Sequence, residues 1–389
     1  MRRRTIVFGG PPALLLAARG LRARTAAAQS PPPPPAERAA RAYAAFVRSY
    51  TVPDGSRLGE RLLLGQGNPY SYLWPLSNGF LAALALLGMP EDGGRSLAEV
   101  QRYLRGLAIY WDPRSMPPGY ASYPPPLNGD GGDLYYDDNA WVAVPLLQYH
   151  RLTGDPAGLA AARRVFDFLL SGWDDDPTHG APGGVFWVWA NWSRNRNTVS
   201  TAPAALAGLH VHELTDEDPA WDWAVRMFGW LNRYLLSPEG LYWDHVRLDG
   251  AVDQGVFAYN QGAAVGVSLM LERITGDRAY LGWARRTADA MLAIYAEQGL
   301  EAQAPGFTAL FARYLLALWA RTEDERYRAF VEQYAAFTWQ TRRDPTSDLF
   351  RFDLQGTASE VEQGIIAQAA MTQLNALLAW PASQFRLLV

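Results

Sequence analysis

Arg151-Leu152-Thr153-Gly154-Asp155-Pro156 returns later in the chain as Arg273-Ile274-Thr275-Gly276-Asp277-Arg278, and the copies continue into Ala162-Arg163-Arg164 and Ala284-Arg285-Arg286. Each copy reads as a helix end, a tight turn and a new helix. Gly takes the left-handed conformation that closes one helix, and Asp caps the next. Thr215-Asp216-Glu217-Asp218 and Thr322-Glu323-Asp324 are variants of the same turn.

Outward from these turns, apolar residues recur with a period of 3.6. The pattern predicts helices over 36–50, 74–88, 95–110, 138–153, 155–172, 199–214, 218–236, 259–275, 277–297, 306–321, 324–341 and 360–379. The links after the even-numbered helices are short. Those after the first, third, fifth, seventh and eleventh are long and rich in Gly, Pro, Trp and Tyr.

Composition alternates in step with loop length. The even helices are apolar on nearly every face: Asn139 to Leu152 carries one charge, Arg151, and Ser200 to Leu214 carries one, Glu213. The odd helices are amphipathic, as with Arg163, Arg164 and Asp167 in the fifth. A helix apolar all round is buried, and one with a polar face borders solvent. The expectation is an all-α fold, an (α/α)6 barrel of six helical hairpins. An open solenoid shares the repeat signature, but closure gives every inner helix two inner neighbours. The long loops then share one face.

The chain has 389 residues, 49% of them hydrophobic, which is enough for a large core. Its net charge of −4 and the absence of a basic stripe argue against a nucleic-acid partner. All basic residues are Arg, and there is no cysteine for a disulfide or thiolate site. The five histidines, at 150, 179, 210, 212 and 245, lack metal-ligand spacing. No metal or cofactor is called for.

At the N-terminus, Arg2-Arg3-Arg4 precedes an apolar stretch from Ile6 to Ala18, and Ala26-Ala27-Ala28 offers small residues for cleavage. Residues 1–28 read as an export signal, with a loosely twin-arginine character, and a secreted or periplasmic location is expected. A disordered arginine-rich tail is the other reading. A proline-rich linker follows at 29–35, then a single catalytic domain over 36–389. No segment has the apolar length of a membrane span, and a monomer is expected.

The chemistry-bearing residues fall at the starts of the even helices. Tyr135-Tyr136-Asp137-Asp138-Asn139-Ala140-Trp141 opens the fourth. Tyr72 and Trp74 precede or open the second, Trp187, Trp189, Trp192, Arg196 and Asn197 precede the sixth, Tyr259-Asn260-Gln261 opens the eighth, and Phe307 opens the tenth. An aromatic-lined bowl with amide and hydroxyl groups suits carbohydrate. Adjacent Cα atoms lie about 3.8 Å apart, so Asp137 and Asp138 can place carboxyls roughly 5 Å apart, the separation of a retaining glycosidase. Spacing alone leaves a second reading open, in which one aspartate caps the fourth helix and the other is solvated.

Tyr135 to Trp141 resembles the catalytic signature of glycoside hydrolase family 76, the endo-α-1,6-mannanases. Gly183-Gly184-Val185-Phe186-Trp187, Arg196-Asn197-Thr198-Val199-Ser200, Tyr259-Asn260-Gln261-Gly262 and the segment from Phe307 to Leu315 resemble other family segments in the same order. The chain departs from the pattern at Val142, Arg196 and Thr201. The resemblance implies an (α/α)6 barrel and a retaining mechanism, with Asp137 as nucleophile and Asp138 as acid/base. It implies an α-mannan-like substrate, contacted by Tyr136, Asn139, Trp141, Trp187, Arg196, Asn197, Tyr259, Asn260 and Gln261.

Two other classes compete. A sugar 2-epimerase on the same barrel needs His as base and acid, yet no His opens an inner helix. A non-catalytic carbohydrate-binding protein keeps the aromatics but has no need of paired carboxylates.

Overall fold

The computed structural model describes residues 31–52, 58–59, 68–90, 95–352 and 360–389. The export segment expected at 1–28 lies outside the described residues. Twelve helices are present among those described: α1 (Pro35–Tyr50), α2 (Leu73–Leu87), α3 (Arg95–Leu107), α4 (Tyr136–Thr153), α5 (Pro156–Leu170), α6 (Thr198–Thr215), α7 (Asp218–Tyr234), α8 (Ala258–Thr275), α9 (Arg278–Gln298), α10 (Pro305–Thr322), α11 (Glu325–Thr341) and α12 (Glu360–Leu378). None is long and apolar enough to cross a membrane.

The even helices form a closed ring. Each packs on the next in the order α2, α4, α6, α8, α10, α12, and α12 returns to α2. The odd helices form the outer layer, α3 on α2, α5 on α4, α7 on α6, α9 on α8, α11 on α10 and α1 on α12. The architecture is therefore an (α/α)6 barrel, and the solenoid alternative is excluded by the α12–α2 closure. The composition explains the sorting. Every residue of α6 from Thr198 to Val211 is buried, as are nearly all of α8, whereas α5 and α7 bury one stripe each. Small residues let the inner helices approach closely: a Cβ on Gly262 of α8 would lie 2.8 Å from the backbone of Leu310 and Phe311 on α10.

The recurrent turn behaves as its residues require. Gly154 and Gly276 end α4 and α8 at φ +74°, and Asp155 and Asp277 accept the N–H of Ala157 and Ala279 at 2.9 Å. Asp216 and Glu323 hold the same left-handed conformation without being glycine. Helix α4 runs through Pro145 as one element.

The long loops carry structure that the helical period does not predict. Strands β1 (Trp111–Asp112) and β2 (Gly119–Tyr120) pair, and β3 (Arg196–Asn197), β4 (Trp243–Val246) and β5 (Val252–Val256) form an antiparallel sheet in that order. Three of these loops are tied to the ring by one repeated device. The Tyr120 N–H donates to Asn139 Oδ1 at 2.8 Å, and Asn139 Nδ2 donates back to the Tyr120 carbonyl at 2.9 Å. Gln261 on α8 holds Tyr242 the same way, at 2.8 Å in both directions, and Gln368 on α12 holds Phe350 at 2.8 and 2.7 Å. A buried side-chain amide thus supplies the two hydrogen bonds that a neighbouring strand would.

Candidate active site

Helix α4 begins at Tyr136, with Tyr135 as its N-cap and no side-chain cap bond. Asp137 and Asp138 therefore sit inside the first turn and do not cap it. The chain from Trp187 to Val188 runs alongside: Tyr135 bridges Val188, and the Tyr136 N–H donates to the Trp187 carbonyl at 2.9 Å. This fixes the Trp187 indole over the aspartates, where its Nε1–H donates to Asp137 Oδ2 at 3.0 Å. The other oxygen, Oδ1, is sealed from solvent and has no aligned hydrogen-bond partner.

Both aspartates line a cavity of about 390 Å³ at the long-loop end of the barrel. Its walls are aromatic. Trp74 and Trp141 lie 6.4 Å apart between ring centroids, Tyr135 and Trp187 5.2 Å, and Tyr259 and Phe307 4.1 Å. Tyr72, Pro75, Ser122 and Val199 complete the lining. Among the described residues no arginine or histidine lines it.

Burial pushes the Asp137 carboxyl up to about 7 from an ordinary 3.8. The Trp187 bond and the nearby N–H groups of Asp138 and Asp137 oppose that rise, and the negative charge of Asp244 adds to it. The magnitude decides what the placement is for. Ionising such a carboxyl costs the fold on the order of 4 kcal/mol, whereas a carboxylate at a helix N-terminus gains about 0.3–1 kcal/mol. Helix stability does not account for Asp137. An enclosed acid that titrates near neutrality is what proton-transfer or nucleophilic chemistry needs.

Of the residues expected to bind substrate, Trp141, Trp187 and Tyr259 line the cavity with the aspartates. The others stand outside its lining. Tyr136 is buried and stacks on Phe168 with centroids 4.7 Å apart. Asn139 and Gln261 spend their amides on the backbone of Tyr120 and Tyr242. Arg196 is fully buried, faces Asp174 at 3.3 Å and donates to the carbonyls of Gly180 and Ala181. Asn197 and Asn260 are buried away from the lining. For Tyr136, Asn139, Asn260 and Gln261 the physical reason is rotational: successive residues of a helix point about 100° apart, so only one or two of a three-residue motif can face the mouth, whereas Arg196 and Asn197 form the short strand β3. Ser122 and Pro75, which also line the cavity, had no signal as site residues in the sequence.

The chain matches the model of glycosyl hydrolase family 76 over residues 69–306. It belongs to glycosyl hydrolase family 76. Part of this family 76 chain is 27% identical, over 181 residues, to the mannan endo-1,6-alpha-mannosidase DCW1 of Saccharomyces cerevisiae, covering 41% of this chain and 40% of that protein. The chain thus spans about two fifths of the length of this curated relative. Among solved structures, the family 76 mannosidase Bt3792 of Bacteroides thetaiotaomicron superposes with a TM-score of 0.76 at 21% identity, covering 89% of this chain and 98% of that one. An inactive variant of the α-1,6-mannanase GH76A of Salegentibacter sp. HEL1_6, with two adjacent aspartates changed to asparagine and α-1,6-mannotriose bound, superposes with a TM-score of 0.68 at 20% identity, covering 89% and 99%. At these identities the structural likeness bears on the fold.

Proposed function

We propose that this protein is a glycoside hydrolase that cleaves α-1,6-mannan-like polymers with retention of anomeric configuration. The observation that carries the reading is the pair Asp137 and Asp138 in the first turn of α4, on the wall of an aromatic cavity whose described lining holds no cation. Aromatic faces take up sugar C–H surfaces, and an acidic, enclosed site stabilises an oxocarbenium-like transition state. The named activity of DCW1, and the inactivation of GH76A at two adjacent aspartates, support the choice of mannan and of this pair.

In the mechanism, Asp137 attacks the anomeric carbon while Asp138 protonates the departing glycosidic oxygen. Asp138 then takes a proton from water, which attacks the same carbon and releases Asp137. Trp187 fixes the Asp137 carboxylate and stabilises its charge through the indole N–H. A carboxyl raised by burial also suits a general acid, so the alternative is the reverse assignment, with Asp137 as acid/base and Asp138 as nucleophile. Cleavage within the polymer, export through residues 1–28, and a single catalytic domain acting as a monomer complete the proposal.

The test is release of reducing ends from linear α-1,6-mannan, with the anomer of the first product followed by NMR. New ends carrying the α configuration are expected. No release from the polymer would remove the hydrolase reading, and an initial β product would remove retention.

A further inference from the structure

The aromatic wall of the cavity continues into solvent. Tyr135 and Trp187 line the cavity, and Trp192, outside the lining, packs on both. Its ring centroid lies 6.2 Å from that of Tyr135 at 65° and 5.5 Å from that of Trp187 at 82°. Neither ring stacks flat on the indole, and Trp192 is 57% exposed. A lone apolar side chain in water needs no explanation, but this one is held in place. Its Nε1–H donates to Asp133 Oδ2 at 2.8 Å. The loop that carries it is closed at its neck, where the Trp187 N–H donates to the Asn195 carbonyl at 2.9 Å, and the Trp189 N–H donates to the Leu134 carbonyl at 2.8 Å. The segment 133–135, which leads into α4 and its two aspartates, thus fixes both the loop and the exposed ring.

We propose that Trp192 is a stacking platform for a sugar unit of the α-1,6-mannan chain beyond the cavity, and that it sets a preference for longer chains. The inference rests on the glycosidase reading and names a further part of that site. A cavity of about 390 Å³ lies at the small end of the range for ligand pockets, so a polymer bound there runs on over the rim. Trp192 is an exposed ring in contact with two residues of that rim. An indole face suits the C–H face of a pyranose, and a ring ordered before binding takes it up at little entropic cost. Trp192 forms and breaks no bond. It contributes binding only to substrates long enough to reach it, whereas a purely structural role, holding Trp187 over Asp137, would act on every substrate alike.

Chain length separates the two roles. In the full chain carrying both Asp137→Asn and Asp138→Asn, calorimetric titration with α-1,6-mannooligosaccharides of increasing length shows affinity rising with length. Adding Trp192→Ala removes an increment of roughly fivefold to thirtyfold from the longer ligands, and Trp192→Phe, which keeps a stacking face, retains most of it. In the active enzyme, the loss of kcat/KM on α-1,6-mannan in Trp192→Ala exceeds the loss on an aryl α-mannoside by a similar factor, and the excess falls in KM. Equal losses on mannoside and polymer overturn the proposal and leave Trp192 as a support for Trp187. So does an unchanged dependence of affinity on length, or a parent that binds none of the oligosaccharides. If the wild type releases no reducing ends while the longer ligands still lose their increment in Trp192→Ala, the hydrolase reading fails and the platform stands.

Discussion

The Trp187 indole N–H meets Asp137 Oδ2 at 3.0 Å, while the carbonyl of the same Trp187 accepts the N–H of Tyr136 at 2.9 Å. One residue of the loop before α6 therefore holds both the start of α4 and the carboxylate it presents. The indole bond favours the charged form of Asp137 against a burial that opposes it.

Replacing that indole tests the link. Trp187→Phe keeps a ring in the cavity wall and removes the donor. A hydrogen bond to a charged group contributes about 1.5–3 kcal/mol, so kcat/KM falls roughly tenfold to a hundredfold. The Asp137 pKa rises further, and the acid limb of the pH–rate profile moves to higher pH. A profile that keeps its position while only the amplitude changes would show that the bond does not govern Asp137.

Asp137 also sets a dependence of stability on pH. Its folded pKa of about 7 exceeds the unfolded value of 3.8. The stability linked to its neutral form is therefore complete below the unfolded value and is lost as pH rises through about 7. Asp137→Asn removes this term, so the variant gains on wild type across that window. Above pH 8 the gain approaches the order of a few kcal/mol, and at pH 4 the two proteins unfold alike. Urea unfolding at both pH values measures it.

Gln261 stands where the sequence resemblance suggests a sugar contact, and the structure gives its amide to Tyr242 instead. Gln261→Leu strands a buried N–H and C=O on Tyr242 and costs about 2–6 kcal/mol, since each orphaned group costs about 1–3 kcal/mol. Thermal unfolding shows the loss. Gln261→Glu keeps the acceptor for the Tyr242 N–H but turns a second oxygen toward the Tyr242 carbonyl. Its deficit is largest where the new carboxyl is ionised and shrinks on acidification.

The barrel was legible because its signals are local and repeated. Thr153-Gly154-Asp155 and Thr275-Gly276-Asp277 mark their turns through backbone chemistry that needs no tertiary partner, and the scarcity of charge in α4 and α6 marks the inner ring directly. Asp137 and Asp138 were legible as an unusual pair, though not as residues inside the first turn, because the cap position depends on Tyr135 meeting Val188 across fifty residues of chain. The β4–β5 hairpin left only a weak trace. Asp249-Gly250 is a hairpin-type turn, with Gly250 at φ +86°, but the strands beside it are short and half-buried and show no clean alternation. Asn139, Gln261 and Gln368 were hidden for another reason: an amide that binds sugar and one that clamps a loop are the same residue type, and only the position of Tyr120, Tyr242 and Phe350 separates them.

The last prediction concerns the roles of the two carboxylates. Asp137→Asn and Asp138→Asn each abolish most hydrolysis of α-1,6-mannan if both act on the substrate. Neither loses a helix cap, because Tyr135 occupies that position. An aryl α-mannoside with an activated leaving group then separates the roles, since its departure needs little protonation. With Asp137 as nucleophile, Asp138→Asn shows a rapid first release of the aryl alcohol followed by slow turnover, and Asp137→Asn stays inactive. Added azide rescues only the acid/base variant, because a small anion replaces base-assisted water in opening the glycosyl-enzyme. The reverse assignment predicts the opposite pattern, with burst and rescue in Asp137→Asn. Either burst identifies a retaining pair. Near-normal cleavage of mannan by both asparagine variants would remove these two carboxylates from the chemistry and place the catalytic groups elsewhere.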